Sequence, residues 1–450
     1  MKKLDWMKGA AGLALSGYVL LGWQNDLVFA QNATVGSQAK NQGQTSQQST
    51  SQGAPQSSTQ VPSQAASPQL TGSAQQVDEI AKPAPISPEQ VQKFHAGIAS
   101  RYKDGWSMFL QNPLHTGVFE LLTPAQGKLR WSFPAEGPID SSPAVYHGVV
   151  YAGSDDTYVY AVDERNGSML WHTKLGDKVK SSPAVAGGIL YVGCEDKSLY
   201  ALDARTGKVL WSFPTGDRVS SSPLVAEGVV YVGSWDGNLY AVDAKTGALK
   251  WKFQTGTASD SRVTSSPALG PESVLVSSHS GSLFCLNASD GSVRWQFKSG
   301  GKVFASPLVM GSLVYFGSWD KNFYAVELES GKVRWKYPGA ETYSVSAAGI
   351  NNRVFVENDD LKMYCLDALT GKLFWKTAMN SPTPFLSSAP AIGGTMLYVG
   401  SPDANVYAID VRNGGIKWKY KTQRPIISSP AISPSGVFVG SQDGNLYQLN

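Results

Sequence analysis

Five histidines, His95, His115, His147, His172 and His279, and three cysteines, Cys194, Cys285 and Cys365, are the side chains of this sequence best able to ligate a metal or to act as base and nucleophile. A structural metal needs such groups in close pairs, as in Cys-x-x-Cys, so that one short loop presents two ligands to one ion. No such pair occurs, and no hydrolytic triad, phosphate-binding glycine loop or EF-hand string can be assembled. Other candidates for chemistry are charged or aromatic. Asp140 and Lys180, 40 residues apart, could form an ion pair or offer a contact to a ligand or a calcium ion. Glu357, Asp359 and Asp360 share one acidic turn, and Trp235 and Trp319 sit in the matching strings GSWDGN and GSWDKN as packing or as interface anchors.

The elements that must position these residues follow from a repeat. Trp131, Trp171, Trp211, Trp251, Trp295, Trp335, Trp375 and Trp418 are spaced 40, 40, 40, 44, 40, 40 and 43 residues apart, so eight of the thirteen tryptophans are one structural position. Each unit reads SSPAV, a turn, VVYVGS, a D-G type turn, LYAVDA, a T-G turn and a short run ending in Trp. Four runs of β-formers joined by tight turns predict a four-stranded antiparallel meander, strands A to D. One such sheet cannot cover both its faces. Stacking copies around an axis does, and a period near 40 with four strands predicts propeller blades. A WD-type propeller is disfavoured, because its Gly-His and Trp-Asp pairs do not recur in register.

Counting strands predicts an all-β, eight-bladed, closed ring. Eight A-B-C sets are present, and the last ends at Asn450 without a D strand. Conversely, residues 127–131 form a D strand with no A to C of their own. The N-terminal strand should complete the C-terminal blade, leaving no open edge.

The pattern Ala-x-Asp-x-x-x-Gly-x-x-x-Trp runs from Ala201 through Asp203 and Gly207 to Trp211, recurs from Ala161, Ala241 and Ala408, and has variants from Cys285, Ala325 and Cys365. It resembles the tryptophan-docking repeat of the pyrroloquinoline-quinone (PQQ) propeller family, over about residues 105–450. That family holds both quinone-dependent dehydrogenases and non-catalytic scaffolds of the BamB outer-membrane-assembly type. The resemblance implies that a dehydrogenase would carry vicinal cysteines, a calcium held by carboxylate and amide groups, and a catalytic Asp. The sequence has no Cys-Cys pair and few long loops, so no cofactor is expected; PQQ with calcium is the alternative. The eight docking tryptophans need no cofactor to explain them. Asp and Thr can bond the amides of the turn, Gly supplies positive φ, and the indole fills the gap between blades. Cys285 and Cys365 take the small Ala position, which predicts lone buried thiols.

In this topology the A-B and C-D turns share one face and stay short. Departures gather on the other, in the lengthened D-A loops 257–262 and 378–385, in Trp235 and Trp319, and in the turn 357–360. Ala347 replaces a strand-A proline in that same divergent copy. Strand A lines the axis, which places Asp140 and Lys180 at a channel mouth.

Around this body, Lys2, Lys3 and Lys8, an apolar run and Val28-Phe29-Ala30 read as a secretory signal over residues 1–30, or as an anchor where it is not cleaved. Residues 31–86 read as a disordered Gln/Ser-rich tether, and 87–126 as a short amphipathic helix on Val91, Phe94, Ile98 and Tyr102 with a lead-in segment holding Trp106. A net charge of +3 from 38 basic and 35 acidic residues argues against a nucleic-acid partner. The expectation is an exported, monomeric, non-enzymatic scaffold, periplasmic or extracellular, with no transmembrane span once the signal is removed. It would bind envelope proteins through Trp235, Trp319 and the acidic turn, by aromatic anchoring and strand addition. A PQQ- and calcium-dependent alcohol or sugar dehydrogenase and a polysaccharide-binding propeller are the alternatives.

Overall fold

A computed structural model describes residues 87–101, 107–119, 126–257, 260–379 and 388–450. The signal, the tether, Tyr102, Trp106 and most of the loop at 378–385 lie outside the described residues.

Eight antiparallel sheets of four blade strands make the propeller. Blade 1 runs through Ala144–Tyr146, Val149–Gly153, Tyr158–Asp163 and Met169–Lys174. Blades 2 to 7 occupy 184–214, 224–254, 268–298, 308–338, 348–378 and 391–421. Blade 8 is composite, as strand counting predicts: Ala431–Ser433, Gly436–Gly440 and Asn445–Leu449 are completed by Leu129–Pro134, with Leu129 opposite Leu449 and Pro134 opposite Asn445. All eight C-D pairs slip register by one residue just before the docking tryptophan. Such a bulge adds twist and re-aims the following side chain, here toward the next blade.

There the indole meets the T-G turn. Trp171 Nε1 donates to Ala204 O at 3.0 Å, and a Cβ added at Gly207, whose φ is +73°, would lie 2.5 Å from the same ring. Glycine is therefore needed twice at this turn, for its backbone sign and for the indole's approach. Asp203 holds the turn by accepting from the amide and the hydroxyl of Thr206, both at 2.8 Å. Trp418 packs against Gly127 and Trp131 donates to Glu164 O, so the contact passes through the composite blade and closes on itself.

A second belt closes the ring nearer the axis. The amides of Ser142, Ser182, Ser222, Ser266 and Ser306 each donate to the serine hydroxyl of the following blade at 2.8–3.1 Å, ending on Ser346 Oγ. Ala389 takes the serine's place in blade 7, and the belt resumes from its amide to Ser429 Oγ and from Ser429 to Ser142 Oγ across the join of first and last blades. Buried backbone donors lying between blades would otherwise lack partners.

The helix Pro88–Arg101 begins with a reciprocal cap, in which Gln90 N donates to Ser87 Oγ and Ser87 N to Gln90 Oε1. It buries Val91 and Ile98, the latter in one cluster with Leu224 and Val225 of blade 3. The stretch 107–119 is not on the outside of the ring. It crosses the axis at the A-B end, where its carbonyls at Ser107, Pro113, Leu114, Thr116 and Gly117 accept from Val185, Leu269, Val309, Gly349 and Ile392, in blades 2, 4, 5, 6 and 7. Val118–Phe119 then adds a parallel strand to the inner edge of blade 7. Met108, Leu110 and Leu114 fill the channel, and Gly117, at φ +63°, passes where a Cβ would meet the Ala348 side chain at 2.9 Å. The protein's own chain thus blocks one end of the axis.

Candidate partner-binding mouth

The other end is ringed by three repeat positions. The column Ile139, Val179, Val219, Val263, Val303, Tyr343 and Ile426 is fully buried between blades. One residue on, Asp140, Lys180, Ser220, Thr264, Phe304, Ser344 and Ile427 are all half-buried and line the mouth; Leu386 and Ser387, their counterparts in blade 7, lie outside the described residues. A third set comes from the B-C turns: Asp155, Glu195, Trp235, His279, Trp319, Asp359, Pro402 and Gln442. The amide of each, Pro402 aside, donates to a D-A loop carbonyl, so one backbone geometry carries five different residue types in seven blades.

Those D-A carbonyls belong to a column that sequence reading passed over: Pro138, Lys178, Arg218, Arg262, Lys302, Thr342 and Pro425. Four consecutive blade junctions carry a cation and the others here do not. Its signal was available, since the column stands two residues before Asp140 and its repeats.

The blade 1–2 corner is neutralised within itself. Lys180 Nζ lies 3.6 Å from Asp140 and 3.8 Å from Asp155, and Lys178 Nζ 3.0 Å from Asp155. Burial raises the Asp140 carboxyl, and the Lys180 charge opposes that rise. Gln442 of blade 8 donates to Asp140 at 3.2 Å, so this residue also ties the join.

Blades 3 to 5 are arranged differently. Trp235 Nε1 donates to Ser220 Oγ at 2.7 Å, and the Arg218 and Arg262 guanidinium carbons stand 5.4 and 4.9 Å from a Trp235 ring centroid. Trp319 Nε1 donates to Ser344 Oγ at 3.0 Å, with Phe304 4.6 Å from its ring and Lys302 over it at 6.0 Å. Both indoles are half-buried, packed at one edge and open to the mouth. His279, buried between them, sits 2.8 Å from Thr264 Oγ1, 3.4 Å from Asp260 and 4.1 Å from the Phe304 ring; burial lowers its pKa. His279 and Lys302 hold Asp260 far below the ordinary carboxylate range.

The acidic turn is inside the protein. Glu357, at a position held by glycine in six other blades, is 2% exposed, so burial puts it out of reach of a docking protein. Asp360 accepts from Tyr364 at 2.8 Å, the same bond that Asp156, Asp196, Asp236, Asp320, Asp403 and Asp443 make to their own tyrosines. That repetition marks a blade brace. Asp359 accepts from the hydroxyls of Thr342 and Ser344, and burial pushes its pKa up to about 6.

Comparison with known proteins agrees with the repeat and the fold. The model for the outer membrane protein assembly factor BamB matches residues 93–167 and 341–450, and that for the propeller of the beta-alanine-activating enzyme matches 139–308. Among solved structures, BamB from Moraxella catarrhalis aligns at 19% identity and TM-score 0.64, covering 72% of this chain and 99% of that one. The chain folds as a PQQ-like β-propeller. Quinohemoprotein alcohol dehydrogenase from Comamonas testosteroni aligns at 15% identity and TM-score 0.67, covering 80% and 82%. A europium-containing methanol dehydrogenase aligns at 17% and 0.66, covering 79% and 92%. No curated protein matches.

On that propeller fold, the dehydrogenase set can be tested on the residues themselves. Cys194, Cys285 and Cys365 are buried, unpaired and in three different blades, 2, 4 and 6. Among the described residues no three His, Cys, Asp or Glu side chains stand close enough to share a metal ion. Asp140, one of the carboxylates at the mouth, is committed to Lys180 and Gln442. The described residues therefore hold no cysteine pair for a quinone to lie against. Among them, too, no helix is long and apolar enough to cross a membrane.

Proposed function

We propose that this protein is an exported, non-enzymatic scaffold of the cell envelope, acting as a monomer, that holds partner proteins on the open mouth of its propeller. One observation carries the reading: the B-C and D-A positions of blades 3 to 5 keep the shared backbone but bear Trp235, Trp319, Phe304, Arg218, Arg262 and Lys302. Half-buried aromatic groups beside arginine are the composition of interface hot spots. The plug at 107–119 leaves this mouth as the accessible end of the axis. The similarity to an outer membrane assembly factor supports an envelope setting, to which the expected signal at 1–30 and tether at 31–86 are suited.

A pull-down from envelope extract, with wild type against Trp235→Ala/Trp319→Ala, tests the reading. A partner retained by wild type and lost from the variant is expected; retention by both removes the mouth as the binding face. The similarity to quinoprotein dehydrogenases favours a second reading, tested by adding PQQ and calcium. Stoichiometric binding with alcohol-dependent dye reduction would replace the scaffold by an enzyme.

A further inference from the structure

The Arg218–Trp235–Arg262 stack carries an inference that rests on the docking reading and deepens it. Arg218 is 45% exposed, and its one ionic contact among the described residues, Glu195, lies at 3.8 Å, beyond hydrogen-bond reach. Arg218, held over the Trp235 ring at 5.4 Å, carries a planar N–H fork of the kind that grips a carboxylate through two parallel bonds. Stacking also fixes the side chain in advance, so little rotamer freedom is left to lose on binding. Two blades on from Trp235, in blade 5, Phe304 and Trp319 form a half-buried aromatic pair with Lys302 beside it. A cationic fork at one point of the arc and an aromatic platform further along it suit a chain-like ligand carrying both acidic and apolar groups. The other cations of the mouth are committed more closely: the blade 1–2 corner spends its lysines on Asp140 and Asp155 at 3.0–3.8 Å, and Arg262 and Lys302 are paired with Asp260, which leaves Arg218 as the cation for an incoming carboxylate.

We propose that the blade 3–5 sector of the mouth binds an extended acidic segment of a partner protein, with Arg218 gripping a carboxylate and Phe304 and Trp319 receiving an apolar side chain further along the segment. The probe is a fluorescein-labelled decapeptide alternating Glu and Phe, titrated with the full chain in low salt and read by anisotropy. Arg218→Gln is expected to weaken binding about tenfold or more, as loss of a bidentate charged contact does, and Arg218→Lys to restore only part of it. Raised salt should weaken the wild-type complex, and Lys208→Gln, exposed and remote from the mouth, should leave it unchanged. Matching melting curves for wild type and Arg218→Gln keep folding out of the result. Equal binding by a Gln-Phe decapeptide, or no effect of Arg218→Gln, overturns the carboxylate grip. If that Gln-Phe binding is still lost in Trp235→Ala/Trp319→Ala, the docking face itself stands; if both variants bind like wild type, both readings fall. Arg218-dependent binding of polygalacturonate without binding of the Glu-Phe peptide overturns the protein partner in favour of an acidic polysaccharide.

Discussion

The docking turns and the mouth are built from one repeat, yet they answer to different demands. At the docking turns a tryptophan recurs in all eight blades, with a carbonyl acceptor recorded for seven of them and a glycine under the ring. At the B-C turns the same backbone bond recurs in seven blades while its side chains run through Asp, Glu, Trp, His and Gln. Packing between blades tolerates one solution and so repeats it. The mouth asks of the repeat only its backbone, and leaves the side chains to be set by whatever meets them.

Substituting one member of each set should separate the two demands most strongly. Trp295 is 9% exposed and donates to Leu328 O at 2.9 Å between blades 4 and 5. Trp295→Ala should cost about 3–5 kcal/mol, as large-to-small changes of buried tryptophan do. Trp235→Ala, half-buried at the mouth, should cost about 1–2 kcal/mol. Chemical denaturation of both variants measures the gap, and equal losses would mean that the mouth tryptophans are packing residues like the other eight.

The plug offers a third kind of site, a buried segment that occurs once. His115 is fully buried with Nδ1 3.0 Å from Pro307 O, and burial lowers its pKa from 6.5 to about 4. The unfolded chain binds a proton at this residue below about 6.5 and the folded chain does not. Its contribution is therefore complete above that pH and is lost progressively as pH falls toward 4, up to about 3 kcal/mol. Denaturation midpoints between pH 7 and pH 4 should fall more steeply for wild type than for His115→Gln. Parallel curves would show that the plug has no part in acid sensitivity.

At the mouth one substitution should reverse the sign. Asp359 is buried between Thr342 and Ser344, and its folded pKa is raised to about 6 from 3.8. The ionised form therefore costs stability above about pH 6, and that cost vanishes below about pH 4. Asp359→Asn keeps an acceptor for both hydroxyls and should stabilise the protein by about 1–2 kcal/mol at pH 7.5, with the gain closing by pH 4. Destabilisation at pH 7.5 would mean that the carboxylate is a bonded part of the packing rather than a cost carried at the mouth.

How far the sequence could be read follows the same division. The blade count, the composite closure and the docking of Trp131 through Trp418 were legible because period and strand order recur eight times, and each copy checks the others. The plug was not, since it has no second copy and binds through carbonyls that any sequence supplies. Glu357 looked like a surface acid because turn residues are usually exposed; only alignment with the glycines of other blades places it inside. Arg218, Arg262 and Lys302 were visible as a column, but their use in stacking on Trp235 and Trp319 depends on how neighbouring blades approach, which no single repeat contains.

The finest test of the contrast lies where mouth and packing meet, at Asp140 and Lys180. Their 3.6 Å separation is long for an ion pair, and burial opposes the charge that the pair requires. A double-mutant cycle of Asp140→Asn and Lys180→Gln should give a coupling below about 1 kcal/mol, with the substituted side-chain amide still able to meet Gln442. Coupling above about 2 kcal/mol would place the pair with the packing residues. Calcium adds an independent arm: a melting temperature of wild type raised by calcium, and of Asp140→Asn unmoved, would turn this corner into a cation site and shift the functional centre of the mouth away from blades 3 to 5.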